Sequence, residues 1–123
     1  MAERHVVART GELEDRSGIV VTVDGQSVGV FNVGGRYFAL SNRCPHQGGP
    51  VCEGTLFPHH TAKIAPTGRV DEYLDHENPV ICCPWHGWEF DLASGTCLAD
   101  PSRRVQSYRV EVEGDEIVLS GRS

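Results

Sequence analysis

Cys44-Pro45-His46 and Cys83-Pro84-Trp85-His86 each place one thiol and one imidazole in a short turn. A thiolate is a soft anionic ligand and a neutral imidazole a borderline one, so two such turns together supply a full ligand set for metal. Two chemistries suit two cysteines and two histidines. One is a closed, redox-inactive zinc site. The other is a two-iron, two-sulfide cluster with the cysteine pair on one iron and the histidine pair on the other. Pro45 and Pro84 stiffen the turns directly after each cysteine. Gly48, Gly49 and Gly87 let the backbone pass close to a bound group, with amides free to point at it. Trp85 and Trp88 offer apolar cover for such a group, and packing into the core is compatible with that role.

Short strands must carry these turns. Ile19-Val20-Val21-Thr22-Val23 is β-branched and is followed by Asp24-Gly25, a strong hairpin signal. Val28-Gly29-Val30-Phe31-Asn32-Val33 comes next, then Gly34-Gly35, then Arg36-Tyr37-Phe38-Ala39-Leu40. This meander leads straight into the first turn. Pro79-Val80-Ile81-Cys82 leads into the second, Trp88-Glu89-Phe90-Asp91 leaves it, and Thr96-Cys97-Leu98 is expected to return along that strand. After Pro101, residues 105–112 alternate apolar and polar, Gly114-Asp115 turns, and Glu116-Ile117-Val118-Leu119-Ser120 ends the pattern. The expected fold is all-β, an antiparallel β-sandwich or barrel, with a small subdomain built from two loops, 44–52 and 82–91. Between the loops, residues 53–78 are polar, with Pro58, His59, His60, Pro66, Gly68 and a charged run over 71–77, and read as an irregular insertion.

A chain of 123 residues is most simply one domain spanning 1–123. With 17 Asp and Glu against 11 Lys and Arg, its formal net charge of −6 disfavours nucleic acid and anionic membranes and suits a basic patch on a protein partner. No apolar run approaches the ~20 residues that cross a bilayer, and Met1-Ala2-Glu3-Arg4-His5 lacks the apolar core of a signal peptide, so a cytoplasmic location is expected. Five cysteines rule out a complete disulfide framework; Cys52, Cys82 and Cys97 are expected to be free, buried or half-buried thiols. His5, His59, His60 and His76 suggest no second metal site, and Arg103-Arg104 reads as a solvated turn.

The stretches Asn42-Arg43-Cys44-Pro45-His46-Gln47-Gly48-Gly49-Pro50 and Cys83-Pro84-Trp85-His86-Gly87-Trp88-Glu89-Phe90-Asp91 together resemble the Rieske [2Fe-2S] family. The resemblance implies one [2Fe-2S] cluster per chain, with Cys44 and Cys83 on one iron and His46 and His86 on the other. Pro45, Gly48, Gly49, Pro84, Trp85, Gly87 and Trp88 would support it. It also implies that the insertion 53–78 is longer than the spacer of compact family members, and that the imidazole edges lie near the surface. Two ferric irons, two sulfides and two thiolates sum to no net charge, so an electron enters more easily than in an all-cysteine cluster. High-potential members carry an extra cysteine in each loop and a serine after the second His-Gly; here those positions are Gly49, Trp85 and Trp88. Fewer donors to sulfur imply a potential in the lower part of the family range, which runs from roughly −150 to +300 mV.

Three functions follow as expectations. The first is an electron-transfer protein without catalytic activity of its own, passing single electrons from an NAD(P)H-dependent flavoprotein reductase to a terminal oxygenase. The second is a tightly bound small Rieske subunit of a larger oxidoreductase, of the nitrite-reductase type or similar, with 53–78 as a subunit interface. The third is a zinc-stabilised interaction module. The sequence names neither the redox partner nor the downstream substrate.

Overall fold

The computed structural model describes residues 4–43, 45, 48–64, 66–68, 70–84 and 87–122, with side chains placed for all of these except 57–64, 70–78 and 122. Nine strands lie among them: β1 His5–Arg9, β2 Ser17–Val23, β3 Gln26–Val33, β4 Arg36–Ser41, β5 Thr55–Ile64, β6 Val70–Cys82, β7 Glu89–Asp91, β8 Ser107–Glu113 and β9 Glu116–Arg122. All pairings are antiparallel, in a six-stranded sheet of order β1-β9-β8-β4-β3-β2 and a three-stranded sheet of order β5-β6-β7. This is the expected all-β architecture.

The meander forms because its turns suit it. Asp24 and Gly25 take φ 50 and 77, the two positive angles of the hairpin turn whose twist matches right-handed strands. The larger sheet curls toward closure: His5 Nε2 on edge strand β1 lies 3.4 Å from Asp24 Oδ2, just past edge strand β2.

Strands β3 and β4 serve two cores at once. Side chains alternate across a strand, so Val28, Val30 and Ala39 face one cluster, with Leu13, Val23, Tyr108, Ile117 and Leu119. Phe31, Val33 and Leu40 face the other, with Val51, Cys52, Ile81, Cys83, Phe90, Leu92, Cys97 and Val105. That double cover explains why β3 is buried without a break from Val28 to Val33. The second core lies under both ligand loops.

One expectation is corrected. Residues 53–78 are not irregular: a 3₁₀ turn, Val51–Glu53, leads into β5, which pairs with β6 as far as Ile64 opposite Val70. The pairing shifts register where Pro58 meets Pro79, so that His59 faces Asp75 and residues 76–78 have no counterpart on β5. Proline cannot donate to the ladder, so a break there is expected. Strand β1 carries no clear period in the sequence: Val6 is exposed, while Val7 and Ala8 beside it are both half-buried. Thr96-Cys97-Leu98 returns antiparallel along β7 as expected, through the Phe90–Cys97 bridge and Leu98 N–H to the Glu89 carbonyl at 3.0 Å, and Thr96 bridges Arg104. No helix among the described residues is long and apolar enough to cross a membrane.

Candidate metal centre

Of the four proposed ligands, Cys83 is described; Cys44, His46 and His86, and the supporting Trp85, lie outside the described residues. Both stretches that carry them are pinned at their ends, and the pins define the site.

The first loop leaves β4 at Ser41. Asn42 ties the loop entrance by three bonds. Its amide N–H donates to the Ser27 carbonyl at 2.9 Å, and its Nδ2 donates to Ser27 Oγ at 3.2 Å. Its Oδ1 accepts the N–H of Cys52 at 2.9 Å, across the loop. The exit is tightened by Val51 N–H to the Gly49 carbonyl and Glu53 N–H to the Pro50 carbonyl, 2.9 and 3.0 Å. Pro45 and Gly48 are exposed, while Gly49 and Val51 are buried, so the loop rises from the core to the surface and returns.

The second loop leaves the central strand of the small sheet. Cys82 is paired with Thr55 on one side and Glu89 on the other, which fixes the point at which Cys83 departs. Cys83 N–H donates to the Trp88 carbonyl at 2.7 Å, and Gly87 N–H donates to the Cys83 carbonyl at 3.0 Å. Gly87 takes φ 69, which lets the chain reverse here without strain. Pro84 and Gly87 are exposed and Trp88 is half-buried. Trp88 packs on the core beneath the loops.

Cys83 is only 1% exposed, and its thiol has no hydrogen-bond partner among the described residues. Cys52 is also buried, but its Sγ is satisfied by the Leu40 and Ser41 carbonyls at 3.4 and 3.6 Å. Burial pushes the Cys52 thiol up to about 12, far from the thiolate a metal requires. A buried thiol in a pinned turn, without a partner among the described residues, suits a metal ligand; a buried satisfied one suits packing. Cys52, Cys82 and Cys97 are free, as expected, and Cys82 is half-buried.

Residues outside the two motifs also shape the site. Asp100, Pro101, Ser102 and Arg103 form a tight turn, closed by Arg103 N–H to the Asp100 carbonyl at 3.0 Å. Asp100 Oδ1 accepts the Ser102 hydroxyl at 2.6 Å and its N–H at 3.2 Å. Its Oδ2 accepts Arg103 Nε at 3.2 Å. These bonds, the Ser102 hydroxyl foremost, hold the Asp100 carboxyl below its usual range. The Arg103 guanidinium then lies 5.5 Å from the centre of the Trp88 ring. The turn was legible, but the role of Arg103 was not, since its contact is with a residue fifteen positions earlier.

The donor chemistry thus fits a metal cluster, and comparison with known proteins agrees. The Rieske [2Fe-2S] domain model matches residues 3–109. The ferredoxin component of the naphthalene 1,2-dioxygenase system of Pseudomonas aeruginosa is 25% identical over 109 residues, 88% of this chain and 86% of that protein. The ferredoxin of carbazole 1,9a-dioxygenase from Nocardioides aromaticivorans IC177 superposes with a TM-score of 0.75 at 27% identity, covering 98% of this chain and 99% of that one. A Mycobacterium tuberculosis protein described as an NADH-dependent nitrite reductase small subunit shares the fold, with a TM-score of 0.74 at 21% identity over 97% and 95% of the two chains. From its buried cysteine turn to its family match, this chain belongs to the Rieske [2Fe-2S] domain family, and its cofactor is a [2Fe-2S] cluster.

Proposed function

We propose that this protein is a Rieske-type ferredoxin, carrying single electrons from an NAD(P)H-dependent flavoprotein reductase to a terminal oxygenase, with no turnover of its own. The observation that carries this reading is likeness to ferredoxin components along nearly the whole length of both partners. In this reading Cys44 and Cys83 hold one iron and His46 and His86 the other. When bound, the cluster takes up and gives back one electron.

The chain's own residues contribute position and shelter. Cys83 is buried in one cluster with Phe90, Leu92 and Val51, which shelters its thiol from water. Pro45, Gly48, Pro84 and Gly87 bring the rims of both loops to the surface. A short path to a docked partner follows from that arrangement, and a rigid one from the bonds that close each loop.

The test is anaerobic. The brown protein is mixed with NADH and the flavoprotein reductase encoded nearest its gene, and its visible absorbance is followed. Bleaching, then recovery on adding the neighbouring oxygenase with substrate and air, is expected. Absorbance that no reductase bleaches would overturn the reading.

A second reading, a small subunit fixed in a nitrite-reductase-type assembly, draws on the fold shared with the mycobacterial protein. Purification separates the two: a free ferredoxin elutes alone, and a subunit elutes with its large partner.

A further inference from the structure

We propose that Arg103 is a positioning residue for the second ligand loop: gripped by Asp100 and laid across Trp88, it holds in place the residue that closes the Cys83 turn. The inference rests on the ferredoxin reading and goes beyond it, because Arg103 lies outside both ligand motifs.

Three links make the chain. Asp100 fixes the guanidinium through Oδ2 and Nε, and Asp100 is itself fixed by Ser102. The guanidinium faces the Trp88 ring at 5.5 Å, within the range where the electron-rich face of an indole attracts a cation. The Trp88 carbonyl receives the Cys83 N–H at 2.7 Å. The backbone of Arg103 is anchored as well, its carbonyl accepting Cys97 N–H at 3.0 Å, and Leu98 N–H reaches the Glu89 carbonyl at 3.0 Å. The turn at 100–103 is thereby tied to the strand that leaves the ligand loop. Trp88 is half-buried, so one side of its ring packs on the core while the cation braces it from the side of Arg103, itself 46% exposed.

This bracing need not be strong to matter. The loop has to open for iron to leave, and an anchored cation on the ring opposes that opening. Arg103→Gln removes the charge and keeps a flat polar group. Arg103→Lys keeps the charge on a flexible stem. Asp100→Asn loosens the anchor without touching the ring.

The experiment follows loss of the visible spectrum of the intact brown protein under excess EDTA, with visible circular dichroism of the cluster and far-ultraviolet thermal melts in parallel. Arg103→Gln is expected to lose iron about twofold to fivefold faster than wild type, with altered visible dichroism and an unmoved far-ultraviolet melt. Arg103→Lys is expected to restore most of the wild-type rate, and Asp100→Asn to show a smaller change in the same direction. Wild-type rates and dichroism in both Arg103→Gln and Asp100→Asn would overturn this inference alone. A wild-type protein without iron and sulfide would overturn the ferredoxin reading and this inference with it. Arg103 is exposed and Asp100 half-buried; should Arg103→Gln not fold, Asp100→Asn and Arg103→Lys decide the matter by the same readouts.

Discussion

Gly54 faces the carbonyl oxygen of Cys82 with no room for a methyl group between them. Gly54 ends the 3₁₀ turn that closes the first ligand loop, and Cys82 is the residue before the thiol of the second. The two loops therefore meet backbone to backbone here, as well as through the shared core, where β5 begins to pair with β6.

Gly54→Ala is expected to push these two segments apart. A new Cβ would meet peptide atoms of Cys82, which cannot swing aside as a flexible side chain could. Overpacking of this kind costs on the order of 1–3 kcal/mol. The cost should appear as a lower melting temperature and a reduced iron content per chain. Gly11→Ala, where nothing lies within 4 Å and φ is not positive, should leave both unchanged.

Asn42→Ala removes the acceptor of the Cys52 N–H and both side-chain bonds at the loop entrance. Leaving a part-buried donor unpaired costs about 1–3 kcal/mol. The expected result is a lower thermal midpoint and faster loss of the visible spectrum under a chelator. Asn42→Asp keeps the acceptor and should recover a large part of the loss. Equal behaviour of the two variants would show that the Cys52 bond is not what matters.

The Cys52 thiol gives the protein an alkaline limit. Its value rises from 9.0 to about 12 on folding, with burial as the main cause. Below 9.0 the thiol is protonated in both states and costs nothing. Above that the unfolded chain releases the proton and the folded one does not, so unfolding is favoured progressively as pH climbs toward about 12. Denaturant midpoints measured from pH 8 upward should fall, and Cys52→Ala should flatten the part of that slope beyond pH 9 despite its own cavity cost. The same burial predicts that alkylating reagents at pH 8 leave Cys52 unmodified in the folded protein.

The midpoint potential should lie below zero against the hydrogen electrode. The family resemblance puts Trp88 at the position where high-potential members carry a serine, and Trp88 accepts the Cys83 N–H on its carbonyl and packs on the core. Without that hydroxyl the reduced, more negative cluster gains less stabilisation. A spectroelectrochemical titration checks this, and a midpoint well above zero would contradict it.

How far the chain could be read from its residues varies with the range of the interaction. Asp24-Gly25 and Gly34-Gly35 announce hairpins because the signal is local, and the strands beside them appear where expected. The two cysteine-histidine motifs are local signals of the same kind, and Cys44, His46 and His86 lie outside the described residues. The hairpin β5–β6 was not, because its strands are polar and broken by Pro58 and Pro79, which lie opposite each other and absorb the register shift between them. Its pairing comes from the partner strand and not from any alternation of its own. Asn42 and Arg103 were missed as parts of the site since their partners, Cys52 and Trp88, are ten and fifteen positions away, and only the folded chain brings them together.

The most direct measurement is metal and sulfide analysis of the purified protein, joined to the EPR spectrum of its reduced form. The account predicts iron and acid-labile sulfide in equal amounts, two of each per chain, with an average g value below that of an all-cysteine cluster. A colourless, EPR-silent protein containing zinc and no sulfide would contradict it.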